Sequence, residues 1–265
     1  MTAADPTPTP SMTRRERQRR ATMDEIVEVA RRLLGDPQGI SLRSIASEMG
    51  MTAPALYRYV ESYDDLVYRI AADIYDDLIA ILEAARDRYP PDDPGAGITA
   101  ASAAFRQWAL NNRAEFGLVF TNAATSVTTA GQKVCVEAGQ RFGALFSELF
   151  VAVWQQNRFA VPGVEELDPV LRERLTSHEA EHIDFHESWR DQALPPGVHW
   201  HFFRIWSRLY GTVTLEVYGH VDTVVVETGA LFRDMIAGCA RDMGLAAEAE
   251  RLRVVLDDEL APRDE

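Results

Sequence analysis

The twenty residues from Ser41 to Val60 constrain the fold more than any other stretch of the chain. Leu42, Ile45, Ala46 and Met49 recur at i, i+3, i+4 and i+7, the spacing of a short helix with one apolar stripe. Gly50 stands where that helix must stop in a left-handed residue, a conformation that glycine adopts without a Cβ clash. Met51 can then plug the turn into the core. Thr52 is an N-cap residue, and Pro54 falls in the first turn of a second helix, where its missing N–H costs nothing. That helix is left exposing Thr52, Ala53, Ala55, Tyr57, Arg58 and Tyr59, small groups and donors suited to a groove, with Leu56 turned to the core. Two short helices so joined form a helix-turn-helix whose second helix can lie in duplex DNA.

The flanks carry the same pattern outward. Upstream, Ile26, Val29, Ala30, Leu33 and Leu34 stripe a basic amphipathic helix that ends at the segment Gly35–Gly39. Downstream, Ser62-Tyr-Asp-Asp65 has capping-box spacing. It opens a helix striped by Leu66, Ile70, Ile74, Leu78 and Leu82. On the run Gly39–Ala46, on Leu56-Tyr57-Arg58-Tyr59 and on the Ser62-x-Asp-Asp-Leu66 helix start, the chain resembles the TetR family of one-component transcriptional regulators. The resemblance implies an all-α chain: a three-helix DNA-binding domain, a larger helical domain that binds ligand and dimerises, and control by a small molecule. It is extended by Phe105-Arg-Gln-Trp108 with Phe116 and Phe120. It is extended again by Trp206, Gly211, Leu215-Glu216 and Gly219-His220, which is similar to a WHG-type C-terminal domain. One departure stands out. Family members usually carry a lysine directly after the residue matching Ser62, where it contacts a DNA phosphate. This chain has Tyr63, which can donate a hydrogen bond but brings no charge.

The formal charge of −14 is unevenly placed. Residues 12–63 hold nine arginines against seven acids, an excess of +2, and the rest of the chain carries −16. An acidic body repels a polyanion while the N-terminal part tolerates one. Cys135 and Cys239 lack metal or redox spacing and read as buried thiols of a reducing cytosol. Neither an apolar N-terminal leader nor an apolar run of about 20 residues is present, so a cytoplasmic chain with no membrane association is expected.

The predicted organisation is a disordered Pro/Thr tail over 1–12, a helix-turn-helix domain over 13–65 with its motif at 41–60, and a helical ligand-binding and dimerisation domain over 66–243. A C-terminal tail over 244–265 has room for one more short helix. Within the larger domain, helices are expected near 64–89, 98–112, 131–157, 168–191, 198–219 and 223–243, with a short segment around 116–120. The first of these belongs to both domains and is the expected lever between them.

The candidate DNA contacts are Arg43, Thr52, Ala53, Ala55, Tyr57, Arg58, Tyr59 and Tyr63, with the basic run Arg14–Arg20 as an arm for phosphates or the minor groove. Most aromatic residues at helical spacing must be core. Trp108, Phe116, Phe120, Phe150, Trp154, Trp206 and Tyr210 are the candidates for a ligand pocket. Glu216 and His220, four apart, are placed to contact each other. Gly211, Gly219, Gly229, Ala230, Ala237 and Gly238 would let the last two large helices pack closely in a two-fold dimer.

A rival signal is His178-Glu179-Ala-Glu-His182, a literal match to the zinc-hydrolase motif H-E-x-x-H. His186 continues the stripe, but at about 1.5 Å per residue it lies about 12 Å along the axis from His178, too far to share one zinc. The polar flanks read as a surface helix. The reading adopted is a non-enzymatic homodimeric regulator, most often a repressor in this family, needing no cofactor. It binds a palindromic operator and is released by a small, largely apolar ligand. A zinc hydrolase, or a metal-responsive regulator using His178 and His182, is the alternative.

Overall fold

The computed structural model describes residues 12–35, 39–121, 129–176 and 194–261. Among the described residues the regular structure is entirely helical. The elements are α1 (Arg14–Arg32), α2 (Leu42–Glu48), α3 (Ala53–Leu56), α4 (Tyr63–Arg86), α5 (Pro94–Asn111), α6 (Arg113–Thr121), α7 (Ala130–Asn157), α8 (Pro169–Thr176), α9 (Pro196–Val217), α10 (Thr223–Thr228), α11 (Ala230–Asp242) and α12 (Ala249–Leu260). Side-chain caps set many of the starts. Thr13 and Glu16 form a reciprocal box on α1, and Ser41, Asp93 and Thr129 accept first-turn N–H groups of α2, α5 and α7.

The turn between α2 and α3 forms as the spacing predicts. Gly50 takes φ 62°, and the Met51 N–H closes onto the Ala46 carbonyl at 2.8 Å. Two details differ. The regular part of α3 is a single turn, and Tyr57–Tyr59 continue it in tighter turns. Thr52 holds the N-cap position, yet its hydroxyl makes no capping bond. Pro54 removes one first-turn donor, and the Ala55 N–H goes instead to the Thr52 carbonyl at 2.8 Å. Ile26, Ala30, Ile45, Leu56, Leu66 and Ile70 bury completely or nearly so beneath this unit.

In the larger part, α4 packs along α5 and α7, α9 lies against α5 and α11, and α12 closes over α5. The expected single helix over 223–243 is broken at Gly229 (φ 62°) into α10 and α11. The Arg106 guanidinium fills the space beside that glycine. The segment after 245 contains a packed helix: α12 buries Leu252, Val255, Leu256 and Glu259, and Glu259 takes bonds from Arg88 and Tyr89. The expected helix over 168–191 is seen as α8, and the remainder lies outside the described residues. Glu216 does not meet His220. It is fully buried against Arg106, whose Nε donates to Oε2 at 2.6 Å, while α9 ends at Val217 and leaves His220 beyond it.

Two polar joints tie the helix-turn-helix unit to the larger part. Asp65, fully buried, caps nothing in the reciprocal way its spacing suggests. Its Oδ2 accepts from the Glu61 N–H and from Arg69 Nε, both at 3.1 Å, and its Oδ1 accepts from the Gly131 N–H of α7 at 2.7 Å. A Cβ on residue 131 would collide with the Asp65 carbonyl oxygen, so only glycine permits this approach. Arg31 of α1 meets Asp73 (2.7 Å) and Asp77 (2.5 Å) of α4 and Glu115 of α6 (2.9 Å).

Burial raises the Asp65 pKa, but the Glu61 N–H, Arg69 and the Gly131 N–H outweigh it and hold the carboxyl below its ordinary value. A lowered folded-state pKa contributes stability above the unfolded value of about 3.9 that is lost as pH falls through the folded value. Asp65→Asn is therefore expected to cost about 1–3 kcal/mol at pH 7. Denaturant melts should show the gap to the wild type narrowing below about pH 4. Gly131→Ala should destabilise by a similar amount at every pH, since its fault is steric.

Candidate nucleic-acid interface and effector cavity

The face built by α2 and α3 is open. Arg43, Thr52, Tyr57 and Arg58 are exposed, Ala53, Ala55 and Tyr59 are half-buried, and Leu56 is fully buried, as the pattern requires. Arg14, Arg15, Gln18 and Arg19 from α1 come alongside Arg58 and Tyr59 and line one groove of about 530 Å³. The Arg19 guanidinium lies 5.8 Å from the centre of the Tyr59 ring. Among the described residues no carboxylate pairs with Arg14, Arg15, Arg19, Arg43 or Arg58, whereas Arg31 and Arg32 are both paired. Arg31 and Arg32, in the last turn of α1, reach acids of α4, α6 and α2, whereas Glu16, the acid of the first turn, is turned back onto Thr13.

Tyr63 sits at the start of α4, partly exposed, and its hydroxyl donates to the Ile40 carbonyl at 3.2 Å. A phenol has one hydrogen, so that donor is committed inside the protein. What it does there is hold the strand of backbone that leads into α2 against the start of α4.

The seven aromatic candidates for a pocket fall into separate places. Phe150 and Trp206 line an internal void between α5, α7, α9 and α11, together with Thr99, Ser102, Met235 and Cys239 among others. About 30 Å³ of it is open to the centre of a water molecule. Phe116, Phe120 and Tyr210 belong to a neighbouring ring cluster, where Phe116 and Phe120 lie 4.9 Å apart and the Tyr210 hydroxyl donates to the Phe120 carbonyl at 3.0 Å. Trp108 packs edge-on to Phe120 and borders a surface cleft beside Asn111 and Asn112. Trp154 lies under the Arg158 guanidinium, 4.4 Å from its ring centre. The residues that aromatic spacing missed are the small and sulfur-bearing ones: Thr99, Ser102, Met235, Cys239 and Ala240. The signal for Thr99 and Ser102 was the run of Ala, Ser and Thr over 99–104, which leaves space because it has no bulk to fill it; the residues of α11 carried no such signal.

Of the small residues on the last helices, Gly229 and Gly238 are used within the chain. The Arg208 guanidinium occupies the space that a Cβ on residue 238 would need, and the Arg106 guanidinium lies in ordinary contact beside Gly229, whose φ of 62° favours glycine. Gly211 and Gly219 face open space, and Ala230 and Ala237 are exposed. Leu215, Tyr218 and Val224 stand exposed nearby. His178, Glu179, His182 and His186 lie outside the described residues. Among the described residues no helix is long and apolar enough to cross a membrane.

The family model described as tetracyclin repressor-like, C-terminal domain, matches residues 98–239, more than half of the chain. The chain belongs to the TetR family. HTH-type transcriptional regulators of Mycobacterium tuberculosis and Mycobacterium bovis are each 28% identical to it over 213 residues, covering 78% of this chain and 86% of theirs. Among solved structures, the candidate regulatory protein SCO4313 superposes with a TM-score of 0.59 at 24% identity, covering 86% of this chain and 98% of its own. A Rhodococcus sp. RHA1 protein of unknown function gives 0.56 at 17% identity, with 88% and 93% covered. At these identities the two structures speak for the fold alone. This TetR-family chain is a DNA-binding transcriptional regulator, and its two-part helical architecture is the one that its helix-turn-helix motif and its matched C-terminal region require together.

The committed hydroxyl of Tyr63 sets a measurable expectation. Tyr63→Phe should lower stability by about 0.5–1.5 kcal/mol, the usual net worth of one such bond, in a chemical denaturation series.

Proposed function

We propose that the protein is a homodimeric repressor that binds a palindromic operator and leaves it when a small, largely apolar molecule occupies the C-terminal part. The observation that carries the reading is the exposed α2–α3 face beside five arginines that no carboxylate among the described residues pairs with, on a chain whose remainder is strongly acidic. In this reading Arg43, Thr52, Ala53, Ala55 and Tyr57 approach the major groove, with Thr52 free to donate because its hydroxyl is not used as a cap. Arg58, Tyr59 and the arginines of α1 hold phosphates. Tyr63, whose hydrogen is taken, acts as a positioning residue for this face.

Dimerisation supplies the second recognition helix, one helical turn of DNA away. Its proposed surface is the outer side of α9 to α11, where Leu215, Tyr218 and Val224 are exposed and Gly211 leaves room for a close approach. Ligand works by a two-state shift: it must favour the head spacing that does not fit DNA. None of the void's lining comes from α4. The lever is therefore reached through α5 and α7, which pack along it, and through the bond from Gly131 to Asp65. The hydrolase and metal-responsive alternatives rest on His178, Glu179 and His182 alone, and nothing in the described site adds to them.

In-vitro selection on random duplex should enrich a sequence with two-fold symmetry, and mobility shifts should then show a dimer on it. No enrichment over several rounds would sink the reading. On the selected site, Arg58→Ala should weaken binding about 10-fold and make the slope of log affinity against log salt shallower by about one unit, as for the loss of one phosphate contact.

A further inference from the structure

The void between α5, α7, α9 and α11 has no charged side chain in its lining. Its two aliphatic hydroxyls are already engaged: Thr99 donates to the Gly95 carbonyl at 2.8 Å, and Ser102 to the Ile98 carbonyl at 2.7 Å. Each hydroxyl has one hydrogen, so both face a guest with lone pairs only. The Cys239 thiol lies 3.5 Å from the Met235 sulfur, and burial pushes its pKa up to about 11, so it stays neutral. An anion arriving here would lose its water and find neither a counter-charge nor a free hydroxyl donor; a cation would likewise find no partner charge.

The size of the void adds a second constraint. About 30 Å³ of open space is room for about two waters. Pockets that hold drug-sized ligands measure about 300–1,000 Å³. A guest must therefore spread the walls. The wall with the most adaptable side chains is α11, which contributes Met235, Ile236, Cys239 and Ala240, with Met243 just after it, and whose N-terminal end is the Gly229 break. Methionine is unbranched and re-packs readily.

We propose, on the basis of the ligand-controlled reading above, that this void is an expandable site for an uncharged, mainly hydrocarbon molecule whose arrival drives α11 outward from α5 and α7. Acids, phosphate esters and cations are excluded. The displacement falls first on the α9–α11 pair, the surface assigned to the twin, and reaches α4 only second-hand. A polar group on the guest, if it has one, is uncharged and meets the lone pairs of Thr99 or Ser102 or the indole N–H of Trp206.

The test uses the full-length chain and two fluorescent probes that share the same ring skeleton, neutral N-phenyl-1-naphthylamine and its sulfonated analogue 1-anilinonaphthalene-8-sulfonate. The neutral probe should saturate at one per chain and raise the melting temperature. The sulfonate should bind at least about 10-fold more weakly, for want of a partner charge. Ala240→Trp should cut affinity for the neutral probe by about 10-fold or more by filling the void, and Ala240→Leu should cut it by less. Hydrogen exchange should quicken in α9 and α11 before α4 when the neutral probe binds. Equal binding of the two probes, no binding of the neutral one, or an affinity unmoved in a variant that still melts cooperatively would each overturn the proposal. Faster exchange confined to α4 would overturn it as well. Duplex binding scored on the same samples separates the two readings. A chain that takes the neutral probe but no selected DNA keeps this site and loses the repressor. One that binds DNA and ignores the probe loses only this site.

Discussion

One carboxylate holds the molecule's two parts in register. Asp65 is the third residue of α4, wholly buried, and its two oxygens take hydrogen bonds from three directions: the backbone just before α4, an arginine one turn along it, and the first turn of α7. Burying an ionised group is costly unless it is fully bonded. Here the bonds outweigh burial, and the group remains charged. The geometry works because residue 131 is glycine. Since α7 also contributes Phe146 and Phe150 to the wall of the internal void, one rigid helix touches both the void and the base of the DNA-binding unit.

Arg31 reinforces that joint by a different kind of contact. It is only partly buried and bridges α1 to α4 and α6 through three acids, so it is screened by salt in a way that Asp65 is not. The two joints differ in another respect. Removing any one of the acids around Arg31 leaves it two partners, whereas removing the arginine leaves three negative groups facing one another.

Much of the architecture was legible from local pattern. The apolar stripe from Leu42 to Met49, Gly50 and Pro54 specify the motif because each acts within one or two turns, where spacing and backbone conformation decide the outcome. The start of α4 at Ser62 and the extent of α7 were readable for the same reason. What pattern could not supply were partners distant in sequence. Capping-box spacing assigned Asp65 to its own helix start, and nothing local announced Gly131, 66 residues away. Likewise Glu216 looked toward His220, four residues on, while its actual partner is Arg106. Burial lifts the Glu216 pKa against the pull of that arginine, and one of its oxygens is left without a bond. The site suffered from the same limit. Aromatic residues announce themselves, yet a void exists where side chains are small, so the ring-rich positions mostly filled space and the Ala, Ser and Thr positions made it.

The arginine that pairs with Glu216 does more than neutralise a charge. Arg106 also donates to the Val226 carbonyl at 2.6 Å, lies 5.3 Å from the centre of the Phe232 ring, and occupies the hollow beside Gly229. It is a keystone set from inside: the angle at which α10 turns into α11 is held by a side chain rooted in the middle of α5. The outline of that outer corner is thus inherited from the interior. A change at position 106 would redraw the molecule's profile at that corner without altering a single residue displayed on it.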